Sequence, residues 1–139
     1  MSVKNKIVSA ILAVALSCAL LCTSVFAATS WSSIVTVSRI QINRQLQIEV
    51  LQNSRNYYAI TSTSQAVNKI TSTVTLFSDS TGTEAGSDTW TTTSSTSSEA
   101  FYPVPYNSYL GVVKAKGRFV VENGGVTIMD YTSGYNVSY

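Results

Sequence analysis

Between residues 39 and 51 apolar and polar side chains take turns. Ile40, Ile42, Leu46, Ile48 and Val50 fall on one face, and Arg39, Gln41, Asn43, Gln45, Gln47 and Glu49 on the other. A period of two is the mark of a half-buried strand. Arg44 interrupts the apolar face. That predicts a bulge or bend near 43–45, or an arginine at a sheet end. The alternation returns over 69–77, where Ile70, Ser72, Val74 and Leu76 oppose Thr71, Thr73, Thr75 and Phe77. It returns again over 109–121. There Tyr109, Gly111, Val113, Ala115, Phe119 and Val121 oppose Leu110, Val112, Lys114, Lys116, Arg118 and Val120. Asn123, Gly124 and Gly125 follow, and predict a tight turn because Asn and Gly accept positive φ. Residues 126–132 then return as the partner strand.

Shorter β-rich runs at 31–37, 57–61 and 89–95 predict further strands, since β-branched and aromatic side chains suit a pleated surface. Residues 53–56 read as a turn, and 78–88, rich in Ser, Thr, Gly and Asp, as the longest loop. Pro103 and Pro105 place 100–106 at a sheet edge, because proline donates no ladder hydrogen bond. No apolar run has a helical period. The sum is an all-β chain: a single antiparallel β-sandwich of about seven or eight strands, with a small β-barrel as the alternative.

The first 27 residues stand apart from this pattern. Lys4 and Lys6 precede an uncharged apolar run from Ile7 to Cys22, and Val25, Phe26 and Ala27 form a cleavage pattern with small or β-branched side chains at −3 and −1. This predicts a signal peptide over 1–27, removed after Ala27, and one domain over 28–139. Membrane contact is then transient. An uncleaved anchor, or a lipid on Cys18 or Cys22, is the competing reading.

Processing changes the charge balance. The chain holds nine Lys and Arg against seven Asp and Glu. Without Lys4 and Lys6 the balance is even, which gives no support to nucleic-acid binding. Both cysteines leave with the leader, and there is no histidine anywhere. A Ser–His–Asp triad, a cysteine nucleophile and a His/Cys zinc site are therefore excluded from the mature chain.

What remains is weaker chemistry. Asp79, Glu84 and Asp88 make the 78–88 loop oxygen-rich, as calcium requires, though without the alternating acidic spacing of an EF-hand; a solvated loop is the plainer reading. Lys114, Lys116 and Arg118 line up on one strand face as an anion patch or an ordinary solvent face. Trp90, Tyr102 and Tyr106 are candidates for an aromatic platform that packs on sugar rings, with core packing as the alternative. Glu99, Glu122 and Asp130 are the carboxylates that a cleft would need to bring together for hydrolysis.

Three stretches carry a resemblance: 66–76, Asp88-Thr89-Trp90, and 113–119. In them the chain resembles small exported β-domain proteins of Firmicutes, of unknown function. The resemblance implies an envelope or extracellular setting and a β-sandwich, and brings no catalytic residues. Together these readings predict a secreted, non-catalytic module without a cofactor that binds a glycan or cell-wall polymer. A self-assembling or partner-completed β protein, using a free edge at 31–37, is the alternative. A carboxylate-based hydrolase or toxin-like effector ranks third.

Overall fold

The computed structural model describes residues 26–51, 53–78, 81–105, 113–134 and 136–138. They form seven strands: β1 (Phe26–Val37), β2 (Ile40–Val50), β3 (Ser54–Ser78), β4 (Glu84–Pro105), β5 (Val113–Asn123), β6 (Val126–Thr132) and β7 (Asn136–Ser138). All belong to one antiparallel sheet curled as a half-barrel. The path runs β1-β2-β3-β5-β6, with β4 on the other edge of β3 and β7 beside β5.

The fold turns on β3. At 25 residues it is far longer than the usual strand. Its first arm pairs with β2, from Ile42↔Thr63 to Val50↔Arg55. Its second arm pairs with β5, from Lys69↔Glu122 to Ser78↔Val113. β4 accompanies both arms, with a register break between Ser62 and Val67. Across that break the buried positions change parity. Tyr57, Ala59, Thr61 and Thr63 face inward before it; Ile70, Ser72, Val74 and Leu76 after it. A change of parity needs the extra residues of a bulge, and a bulge bends its strand. Ser94 of β4, at φ 48°, marks the same bend on the neighbouring strand.

The bend folds the two arms toward each other. Thr61 Oγ1 and Ser72 Oγ meet at 2.7 Å in the interior, and Ser72 Oγ donates to the Ser98 carbonyl at 3.1 Å. Around them pack Ile42, Leu46, Tyr57, Ile70, Val74, Leu76, Phe119 and Val121, all nearly without solvent contact. Each such side chain contributes about 1.5–3 kcal/mol on burial.

Between β1 and β6 the half-barrel is closed by side chains. Trp31 of β1 stacks on Phe119 and on Tyr131, each at 5.7 Å between ring centres. Arg44 stays on the inner face of β2, only 7% exposed, with its guanidinium 4.2 Å from the Tyr131 ring centre. Its Nη2 donates to Ser33 Oγ at 2.8 Å, and its Nε has no partner. The bulge expected at 43–45 is therefore absent. β2 keeps a continuous register there, and the irregularity lies across the ladder, between Thr29 and Trp31. The aromatic stack accepts the cation from inside, so the strand has no need to bend.

Other boundaries also differ from expectation. The runs at 57–61 and 69–77 are one strand, joined through exposed Ser64, Gln65 and Ala66, which form an unpaired bulge between the two ladders. β4 begins at Glu84, so the loop after β3 is short. The turn read at 53–56 lies earlier, where the Leu51 N–H donates to the Ser54 carbonyl at 2.8 Å. Of the segment 1–27, only Phe26 and Ala27 are described, and they open β1.

Two hairpins close with two-residue turns. Val37 pairs with Ile40 across Ser38-Arg39, and Asn123 pairs with Val126 across Gly124-Gly125. All four turn residues have positive φ: 51° and 65° in the first, 62° and 77° in the second. Positive φ at both central positions is the type I′ pattern, whose twist matches the flanking strands. Glycine takes it freely. A residue with a Cβ takes it at a cost of roughly 1–2 kcal/mol.

Candidate functional site

The outer surface of the first arm holds a hollow of about 280 Å³, lined by Ile34, Gln41, Asn43, Ser62, Thr63 and Ser64. Its shape follows from the bend. Ile34, Asn43 and Ser62 lie in one row across β1, β2 and β3. One step further along, β3 leaves the regular ladder. There the Gln41 N–H donates to Ser64 Oγ at 3.0 Å in place of a backbone acceptor. Thr63 Oγ1 donates to the Gln65 carbonyl at 2.8 Å, which ties down the bulge. The hollow thus has a fixed wall on the β3 side.

The lining has no Lys, Arg, Asp or Glu. It presents the side-chain amides of Gln41 and Asn43 and the hydroxyls of Ser62 and Ser64, beside the apolar face of Ile34, which is 67% exposed; the Thr63 hydroxyl is committed to the Gln65 carbonyl. Asn43 Oδ1 is shielded from water and has no hydrogen-bond partner. A buried polar atom without a partner is uncommon in a folded protein. Small-molecule sites span roughly 300–1,000 Å³. At about 280 Å³ this hollow falls just short of that range.

A second polar surface covers the outside of the second arm. Thr71 pairs with Thr91, Thr73 with Thr89 and Thr75 with Ser87, hydroxyl to hydroxyl, at 3.0, 2.9 and 3.2 Å. The sequence pattern placed Thr71, Thr73 and Thr75 outside. It could not show that β4 would bring a second column of hydroxyls against them.

The residues singled out in the sequence are dispersed. Trp90, on the free edge of β4, is 57% exposed. Tyr102 is half-buried and packs against the core, its ring lying where a Cβ on Gly86 would stand. Trp90 and Tyr102 therefore belong to different surroundings. Tyr106 lies outside the described residues. Lys114, Lys116 and Arg118 do share the outer face of β5, opposite Phe77, Thr75 and Thr73. Lys116 Nζ sits 5.6 Å from the Phe77 ring centre. Arg118 is held by both carboxylate oxygens of Asp130, at 3.0 and 2.8 Å. That contact keeps Asp130 below the ordinary carboxylate range.

Asp79 also lies outside the described residues. Glu84 pairs with Phe77 on the outer face, while Asp88 pairs with inward-facing Val74. Asp88 Oδ2 accepts the Phe101 N–H at 2.9 Å. Among the described residues no three acidic, His or Cys side chains converge on a point where a metal could sit.

The carboxylates proposed for hydrolysis are likewise apart. Glu122 pairs with Lys69 at 3.0 Å and Asp130 with Arg118, both on the second arm; Glu99 lies opposite Ile60 on the first. Glu49, which the sequence did not single out, accepts hydrogen bonds from Asn56 Nδ2 at 2.8 Å and Tyr58 Oη at 2.7 Å. Those bonds lower its pKa, and desolvation together with the neighbouring carboxylate pushes Tyr58 up to about 12.

No protein family, curated protein or solved structure matches the chain.

Proposed function

We propose that the chain is an exported, non-catalytic module that binds a neutral glycan of the cell wall or extracellular matrix through the hollow at the β3 bend. The observation that carries this reading is the lining itself: amides and hydroxyls beside one exposed isoleucine, without a charged group. Sugars present hydroxyl donors and acceptors around a ring with apolar C–H faces. The hollow offers both kinds of contact side by side. The apolar leader and its cleavage pattern support an extracellular setting. In this reading the two arms of the bent sheet act as the layers of a small sandwich. The dispersal of the carboxylates supports binding over hydrolysis, which needs two acids at a controlled separation.

The test is sedimentation with insoluble chitin, cellulose and purified Gram-positive cell walls. The protein is expected to leave the supernatant saturably with at least one of them. Ile34→Ser and Asn43→Asp are expected to weaken that retention about tenfold, while Trp90→Ala leaves it unchanged. Ile34 is exposed, so its replacement leaves the core alone. Retention that depends on Trp90 and not on Ile34 would move the site to the edge of β4. No retention by any of the three solids would remove the glycan reading.

A further inference from the structure

The turn between β1 and β2 is a strained hinge on an edge strand. Ser38 and Arg39 both hold positive φ, 51° and 65°, with neither glycine nor asparagine at either position. The strand it carries, β1, has a backbone partner on one side only, β2. Its inward side chains are Trp31, Ser33, Val35 and Val37. Trp31, Val35 and Val37 pack on the core without being part of it, and Ser33 meets Arg44. Short hinges under strain favour exchange of the element they carry, because opening the hinge removes the strain while the exchanged element keeps its contacts.

We propose that β1 exchanges between two copies of this chain. In the exchanged pair, Ser38-Arg39 opens into an extended segment. Each β1 then lies on the β2 of its partner, with Trp31 stacked on the partner's Phe119 and Tyr131. Every contact of β1 is the same in the closed monomer and in the pair. The difference lies in the hinge, strained twice over in two monomers and relaxed in the dimer, against the entropy of association. The other edges are differently placed. β6 is held by the unstrained Gly124-Gly125 turn. β4 has part of its outer edge covered by its own folded arm: Ser98 Oγ donates to the Trp90 carbonyl at 2.8 Å, and Asp88 accepts the Phe101 N–H. The exchange therefore falls to β1. This inference does not depend on the glycan reading.

The test combines light scattering with a disulfide trap. Purified mature protein, residues 28–139, which holds no cysteine, is taken from about 10 µM to about 1 mM, the range of weak self-association. Wild type is expected to form a dimer. Arg39→Gly, which lets the closed turn relax, is expected to weaken dimerisation at least about tenfold. Arg39→Pro, which cannot adopt positive φ, is expected to strengthen it. Thr36 and Gln41 are ladder partners, and both are exposed. With Thr36→Cys and Gln41→Cys together, oxidation of the dimer is expected to link two chains, and oxidation of the monomer to form a bond within one. A monomer throughout for both wild type and Arg39→Pro overturns the exchange. So does a dimer in which the disulfide stays within each chain, and so does a dimer indifferent to Arg39→Gly.

Discussion

The β1–β2 and β5–β6 hairpins use the same turn with different residues. Gly124-Gly125 meets the backbone demand without strain, and its Gly124 N–H is further tied to Asn68 Oδ1. Ser38-Arg39 meets the same demand against the preference of its side chains. What holds the first hairpin closed is then found elsewhere. It is the stack of Trp31 on Phe119 and Tyr131, with Arg44 lodged beside it. A local turn preference is overruled by packing some distance along the strand. The sheet is stapled at β1 by side chains, and at β6 by its turn.

The largest effect follows from removing the staple. Trp31→Ala is expected to destabilise the protein by about 3 kcal/mol, measured by urea unfolding, since truncating a packed aromatic costs roughly 3–5 and Trp31 is only partly buried. A loss below about 1 kcal/mol would mean that the turn, not the stack, keeps β1 in place.

Next comes the relaxed turn. Gly125→Val places a β-branched side chain at φ 77°, and is expected to cost about 2 kcal/mol. The mirror experiment is smaller and of opposite sign. Arg39→Gly is expected to raise stability by about 1 kcal/mol, the relief of strain less the added freedom of the unfolded chain. If it destabilises instead, the two turns are not equivalent and the comparison fails.

The smallest effect is electrostatic. Glu49 is lowered in the fold from 4.5 by the hydrogen bonds of Asn56 and Tyr58. Its contribution is present above the unfolded value and is lost as pH falls through the lower folded one. Tyr58 runs the other way. Its pKa rises from 10.0 to about 12, so its contribution is full below pH 10 and is lost as pH climbs toward 12. Glu49→Gln is expected to flatten the thermal midpoint at both ends of the pH scale. A curve parallel to wild type would remove this pair from the account.

Much of the sheet could be read from alternation. The outward Thr71, Thr73 and Thr75, the inward Ala115, Phe119 and Val121, and the turn at Gly124-Gly125 all lie as their pattern predicts. The Ser38-Arg39 turn could not be read, since neither residue signals positive φ. The continuity of β3 was hidden for a related reason. Alternation stops between the runs at 57–61 and 69–77, because Ser64, Gln65 and Ala66 are an unpaired bulge within one strand. Arg44 misled because a cation on an apolar face suggests an interruption; its aromatic surroundings come from β1 and β6, remote in sequence. The hollow was illegible for the same reason. Ile34, Asn43 and Ser62 belong to three different strands, and no spacing links them.

The most direct measurement is an amide chemical-shift titration of the isotope-labelled protein with soluble chitotriose and cellotriose. Saturable shifts are expected at Ile34, Gln41, Asn43 and Ser62–Ser64, with Trp90 and the Thr71–Thr75 face unmoved. Shifts confined to Trp90 or to the threonine face, or none with either sugar, would contradict the glycan reading.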